Sequence, residues 1–149
     1  MTRDDVAMLL VDLEPGDPRL ERDVLPVLRE LRPHLTPESF QAVYGEGYGQ
    51  GLRFLGAYED GRCVAVAGWR IVATTDSIRK LYVDDLVTVE TERSRGFGSA
   101  LLAELEERAR AAGCRLLDLD SGVQRQDAHR FYMRHGMAIT SFHFARRPL

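Results

Sequence analysis

Between Asp84 and Leu102 the chain reads Asp-Asp-Leu-Val-Thr-Val-Glu-Thr-Glu-Arg-Ser-Arg-Gly-Phe-Gly-Ser-Ala-Leu-Leu, a strand-like run that passes through a turn straight into a helix. This feature limits the fold most, because a strand feeding a helix buries both only where helices pack on a sheet. Around it the hydrophobic period alternates. Arg53 to Tyr58 and Arg62 to Val72 read as strands joined by Glu59-Asp60-Gly61, where Asp-Gly is a hairpin signal, and Leu81 to Val89 is a third strand. From Gly98 to Ala112 the period becomes helical, with Leu101, Leu102, Leu105 and Ala109 on one face and Gly113 as the stop. Arg115 to Leu119 is a strand again, Asp127 to His135 a short helix ended by Gly136, and Ile139 to Ala145 a final strand. Upstream, Val6 to Asp12 reads as a strand, and Leu20, Val24, Leu25, Val27, Leu28 and Leu31 recur as a first amphipathic helix. Thr36-Pro37 opens a second helix through about Tyr44, where glycines break it. The expected fold is α/β, a mixed, mainly antiparallel sheet flanked by helices.

A length of 149 residues supports one domain over residues 1–149. Twenty basic residues against 23 acidic ones give a net charge of −3, without the basic excess that a phosphate-backbone binder uses, so no nucleic-acid partner is expected. No apolar run approaches the ~20 residues of a bilayer span. The first residues place acids on both sides of a short apolar segment, where a signal peptide would want a basic one. A cytoplasmic protein with no membrane partner is the expectation. Cys63 and Cys114 show no metal or redox spacing and read as buried reduced thiols. His129 and His143 with Asp118 or Asp120 match no ligand motif, so no metal is expected. The glycine-rich stretch from Tyr44 to Gly51 reads as a flexible segment, either a flap or an ordinary connecting loop; as a flap, Tyr44, Glu46 and Tyr48 would offer aromatic walls and a carboxylate to a cationic amine.

A helix N-terminus carries partial positive charge and unbonded N–H groups, so the turn at Gly96, Phe97 and Gly98 suits a phosphate, with Arg93 and Arg95 adding cationic character. A P-loop would need Gly-Lys-Ser/Thr, and a dinucleotide fingerprint a third glycine near Leu101; both are absent. Arg93-x-x-Gly96-x-Gly98 after Asp84-Asp85-Leu86-Val87-Thr88 resembles the acyl-CoA-binding motif of the GNAT superfamily of N-acetyltransferases. A second block follows in order: Ala128, Tyr132 and Gly136-Met137 resemble the family's Ala-x-x-x-Tyr and closing Gly-Phe/Met.

The resemblance implies a sheet splayed at the central strand and acetyl transfer from acetyl-CoA, as co-substrate, to a primary amine of a small molecule or protein, in a ternary complex. It implies that the pyrophosphate sits on the N–H groups of Arg95, Gly96, Phe97, Gly98 and Ser99. It implies that the pantetheine arm pairs with Leu86 and Thr88, and that Leu86 or Val87 N–H faces the thioester oxygen. Tyr132 stands at the family's acid position. Asp84 and Asp85 are base candidates, with Asp84 placed first and a water relay the alternative; in a regular pleat they point to opposite faces, and a bulge would alter that. Arg125 departs from the asparagine of many members, and would reach a phosphate oxygen, Asp120 or Asp127, or lie in solvent. His129 lies on nearly the same helical face as Tyr132, toward the substrate or packed at the surface. The readings to be distinguished from the enzyme are a non-catalytic acyl-CoA-binding protein and, third, a dinucleotide oxidoreductase. A homodimer is compatible with the sequence, which does not state the oligomer.

Overall fold

The computed structural model describes residues 8–149; Val6 and Ala7, which open the first expected strand, lie outside the described residues. The chain divides into two compact units, the first ending at Asp118 and the second spanning Leu119–Leu149. In the first, β1 (Met8–Leu13), β2 (Arg53–Glu59), β3 (Arg62–Val72) and β4 (Lys80–Thr88) pair antiparallel in chain order. After β4, α3 (Phe97–Ala111) carries the chain to β5 (Leu116–Leu119), which joins the sheet beside β4. Such a helical crossover is the connection a parallel neighbour needs, so the sheet is mixed.

Side-chain alternation assigns the helices to faces. Leu13 pairs with Phe54, Phe54 with Gly68 and Gly68 with Asp85, so these four share one side of the sheet. That side is covered by α2 (Pro37–Tyr48), whose Phe40 and Tyr44 rings meet Phe54 edge-on at 5.4 and 4.8 Å between centroids. The other side takes α3, whose Arg108 pairs with Asp12 and lies 5.4 Å from the Trp69 ring. Leu101, Leu102 and Leu105 of α3 are fully buried, as the helical stripe requires.

Local signals explain several boundaries. Asp60 and Gly61 both have positive φ, 50° and 77°, the geometry of a type I′ hairpin turn. Thr36 caps α2 through a reciprocal box with Ser39, and Pro37 occupies the first turn. The first expected helix is in two parts, a π-helical turn at Leu20–Val24 followed by α1 (Leu25–Leu31). Pro26 accounts for the change, since it lacks an N–H and its ring excludes the carbonyl four residues before it.

Two expectations are corrected. The Tyr44–Gly51 stretch is not a flexible loop up to its end: α2 continues through Tyr48, and Gly47 is needed because a Cβ there would lie 2.8 Å from Leu52 Cδ2. A close contact thus outweighs the weak helix propensity of glycine. In the second unit, α4 (Gln126–Arg134) forms and ends at Gly136, φ 78°, but residues 137–149 contain no regular strand. Ile139, Phe142 and Phe144 are exposed, and the segment has no place in the five-strand order. An alternating pattern provides a face, whereas a strand exists through its ladder.

Candidate active site

The central feature is the second half of β4. Gly68 faces Asp85 while Trp69 faces Val83, so Asp84 is an extra residue and β4 bulges there. Arg70, two residues beyond Gly68 on the same face, binds both oxygens of Asp84 at 3.0 and 2.9 Å, so the bulge brings Asp84 to the side of Asp85. Asp85 accepts from Arg32 Nε at 2.9 Å through Oδ1, while Arg32 Nη2 donates to Asp84 O at 3.0 Å. The regular-pleat arrangement, in which the carboxylates oppose each other, is therefore replaced by an acid pair supported by two arginines. Burial pushes the Asp85 carboxyl above its ordinary range, and the Arg32 guanidinium opposes that shift without cancelling it. Asp84, first choice from the sequence, has both oxygens occupied; Asp85 has one engaged by an arginine.

Beyond the bulge, the ladder fixes which amides face outward. Val89 N–H donates to Val64 O at 2.9 Å, and Val66 lies opposite Val87, so Val87 N–H also turns toward β3. By alternation Leu86 and Thr88 turn theirs to the other side. There β5 has only four residues against nine in β4. It begins beside the start of β4, with Arg115 N–H donating to Arg79 O at 2.8 Å. Its reach of ~13 Å ends before Leu86. The polar edge of Leu86 and Thr88 is left for something other than β5.

At the end of that edge lies the turn into α3. Gly96 is its N-cap with φ 89°, no side chain caps the helix, and the first helical bond is Ala100 N–H to Gly96 O at 3.0 Å. The Phe97 and Gly98 amides precede that bond and belong to the donor-rich first turn. A Cβ at Gly96 would meet nothing within 4 Å, so its role lies in the left-handed backbone. The Phe97 side chain is buried in the core, and Gly98 and Ser99 follow it in the first turn. Arg93 is exposed, its Nε 3.4 Å from Thr88 O. The Arg95 guanidinium, which adds cationic character beside the turn, donates to Glu59 and Glu92.

In the second unit, Tyr132 lies on α4, where burial raises its phenol and the hydrogen-bonded Arg125 guanidinium opposes the rise. Arg125 thus turns to Tyr132, while Asp127 pairs with Arg130. His129 Nε2 lies 2.8 Å from Gly122 O and so fastens the turn before α4. Tyr44, expected as a substrate wall, is a core residue whose hydroxyl donates to Leu13 O, whereas Glu46 is exposed on α2. Both cysteines are free; Cys63 is buried, which pushes its thiol up to about 12, and Cys114 is half-buried. Among the described residues no cluster of His, Cys, Asp and Glu is placed to hold a metal, and no helix is long and apolar enough to cross a membrane. Arg32, Arg70, Glu59 and Glu92 were not legible as site residues, because their partners lie on other elements; only Glu92, three before Arg95, gave a local hint.

A model of the Acetyltransferase (GNAT) family matches residues 19–137, running through both units. The chain is a GNAT acetyltransferase. It is 35% identical over 130 residues to the uncharacterized N-acetyltransferase YhdJ of Bacillus subtilis, covering 83% of this chain and 88% of that one. A shorter match, 42% over 64 residues, links this GNAT chain to the aminoalkylphosphonate N-acetyltransferase of Salmonella typhimurium, covering 43% and 42% of the two chains. Its fold is similar to that of aminoglycoside N-acetyltransferase AAC(6')-Iy, solved in complex with CoA, with a TM-score of 0.82 at 19% identity over 96% of this chain and 95% of that one. The GNAT assignment makes acetyl transfer to an amine nitrogen the activity of the chain.

Proposed function

We propose that the chain, as a single acetyltransferase domain, transfers the acetyl group of acetyl-CoA to a primary amine of a small molecule by direct attack in a ternary complex. One observation carries the reading: the outward amides of Leu86 and Thr88 lead along β4 toward an uncapped helix N-terminus. A ligand with an amide-bearing arm ending in a pyrophosphate matches that sequence of donors. Arg93 would add positive charge at the phosphate end. Because Val87 N–H is turned to β3, Leu86 N–H is the better donor for the thioester oxygen.

In the reaction the amine nitrogen attacks the acetyl carbonyl, the carbon–sulfur bond breaks, and the amine loses a proton while sulfur gains one. Asp85 is taken as the base, directly or through water, since burial brings its proton affinity nearer to neutral pH. Tyr132 is taken as the acid. Its raised phenol keeps the proton at neutral pH, and Arg125 stabilises the phenolate formed when that proton is given to the thiolate. Small-molecule acceptors are favoured by the relatives, whose names include aminoalkylphosphonate and aminoglycoside acetyltransferases.

The test is CoA thiol release from acetyl-CoA across a panel of aminoalkylphosphonates, aminoglycosides and polyamines. Tyr132→Phe keeps the ring, so kcat is expected to fall by about 100-fold while acetyl-CoA affinity stays within about threefold. Tight acetyl-CoA binding with no thiol release for any amine would replace the enzyme with a binding protein. Full turnover by Tyr132→Phe would remove the phenol from the chemistry.

A further inference from the structure

Both Nη atoms of Arg95 are engaged next to the turn that would hold the pyrophosphate. Its Nη1 and Nη2 each donate to one oxygen of Glu59 at 2.8 Å, and Nη1 also donates to Glu92 Oε2. The other Glu92 oxygen accepts from Arg62 Nη1 at 3.3 Å. Glu59 is the last residue of β2 and Arg62 the first of β3, so both stand at the tip of one hairpin. Glu92 ends a 3₁₀ turn, Glu90–Glu92, and Arg95 directly precedes Gly96. Arg95 also lies 5.1 Å from the ring of Phe97, whose side chain is buried. Two acids and two arginines therefore join the hairpin tip to the turn.

The turn has a reason to need support. Ser94 has φ 68° and Gly96 φ 89°, two left-handed residues on either side of Arg95, and Ser94 lacks the freedom of glycine. An isolated exposed ion pair constrains little, but a bidentate arginine shared between two carboxylates fixes both distance and plane.

We propose that Arg95 is a positioning residue, braced by Glu59 and Glu92, that holds the backbone amides of the turn in their anion-binding arrangement, and that Arg93 is the cation that meets the phosphates. The hairpin is thereby part of the cofactor site without touching the cofactor. This rests on the reading of the turn as the acetyl-CoA site, and the experiment separates the two.

Calorimetric titration of the full chain with CoA comes first, followed by steady-state kinetics and melting temperatures of variants. Glu59→Gln alters no proposed contact with CoA, so the brace predicts a KM for acetyl-CoA raised about 10-fold with kcat within twofold and an almost unchanged Tm. Arg95→Ala gives the same split, Arg95→Lys does not restore it for want of the bidentate fork, and the Glu59→Gln, Arg95→Ala double variant is no worse than either single one. Arg62→Gln, which removes one strut, gives a smaller rise in KM and serves if Glu59→Gln fails to fold. If Arg95 instead contacts phosphate directly, Glu59→Gln frees it and leaves KM unchanged or lowered, and the brace is overturned. A wild-type chain that binds no CoA overturns the cofactor reading and the brace with it.

Discussion

The two ends of the outward-facing stretch of β4 are held by the same type of bond used in opposite senses. At the bulge, arginines from α1's end and from β3 support two carboxylates; at the turn into α3, carboxylates support an arginine. The difference lies in the group at the centre of each cluster. Burial raises the proton affinity of the Asp85 carboxyl, whereas the partners of Arg95 only push a permanently charged group further up. In the roles proposed above, one end handles a proton and the other holds geometry. Hydrogen-bonded charges in one strand and its following turn thus suit chemistry or positioning according to whether the group at their centre can change its charge.

Substitutions at three positions test this contrast in decreasing order of effect. Asp85→Asn preserves the size of the side chain and removes the titration, so kcat is expected to fall about 100-fold with acetyl-CoA affinity retained. In the parent, activity falls as pH drops through the raised Asp85 value, because the base works only when ionised; the acid limb of kcat/KM lies above the usual carboxylate range and is missing in the variant. If both profiles coincide, Asp85 is not the base. At the other end, Gly96→Val should weaken CoA binding by about 10-fold or more with little change in kcat, since a β-branched residue resists φ 89°. Gly96→Asn, which tolerates the left-handed region, should retain more affinity, and equal losses would shift the cause from backbone to side-chain obstruction. The smallest effect is expected for Asp84→Asn, with kcat within about threefold and Tm lowered by no more than about 4 °C for loss of a part-exposed pair. A loss as large as that of Asp85→Asn would return the base to Asp84.

What was legible in the sequence depended on how local the cause was. The Asp60-Gly61 turn, the Thr36 cap and the left-handed Gly96 follow from the residues at those positions. The order of strands and helices follows from hydrophobic period, and the expected fold holds apart from the last strand. The bulge was expected only through the family resemblance, because an extra residue in β4 is defined by counting against β3. The continuation of α2 through Gly47 depends on Leu52, across a turn. The positive charge of Arg95 next to a glycine turn is visible in one dimension, whereas its partner Glu59 lies 36 residues away. Which aspartate was better suited to accept a proton required knowing that Arg70 encloses Asp84.

Gly68 gives the acid pair a consequence in evolution. A Cβ at that position would lie 2.7 Å from Asp85 Oδ2 and 2.9 Å from Phe54 Cε1, so two neighbours on different strands exclude even one methyl group. Substitutions at 54, 68 and 85 are therefore conditional on one another: alanine at 68 becomes admissible only after both neighbours have withdrawn, and the steps taken singly are each unfavourable. The identity of the carboxylate is guarded from β3, a strand that supplies no side chain to the reaction. A lineage that moved its base elsewhere would release Asp85 first, and Gly68 could be replaced only after that change in β4 and a withdrawal of Phe54 had made room for a side chain.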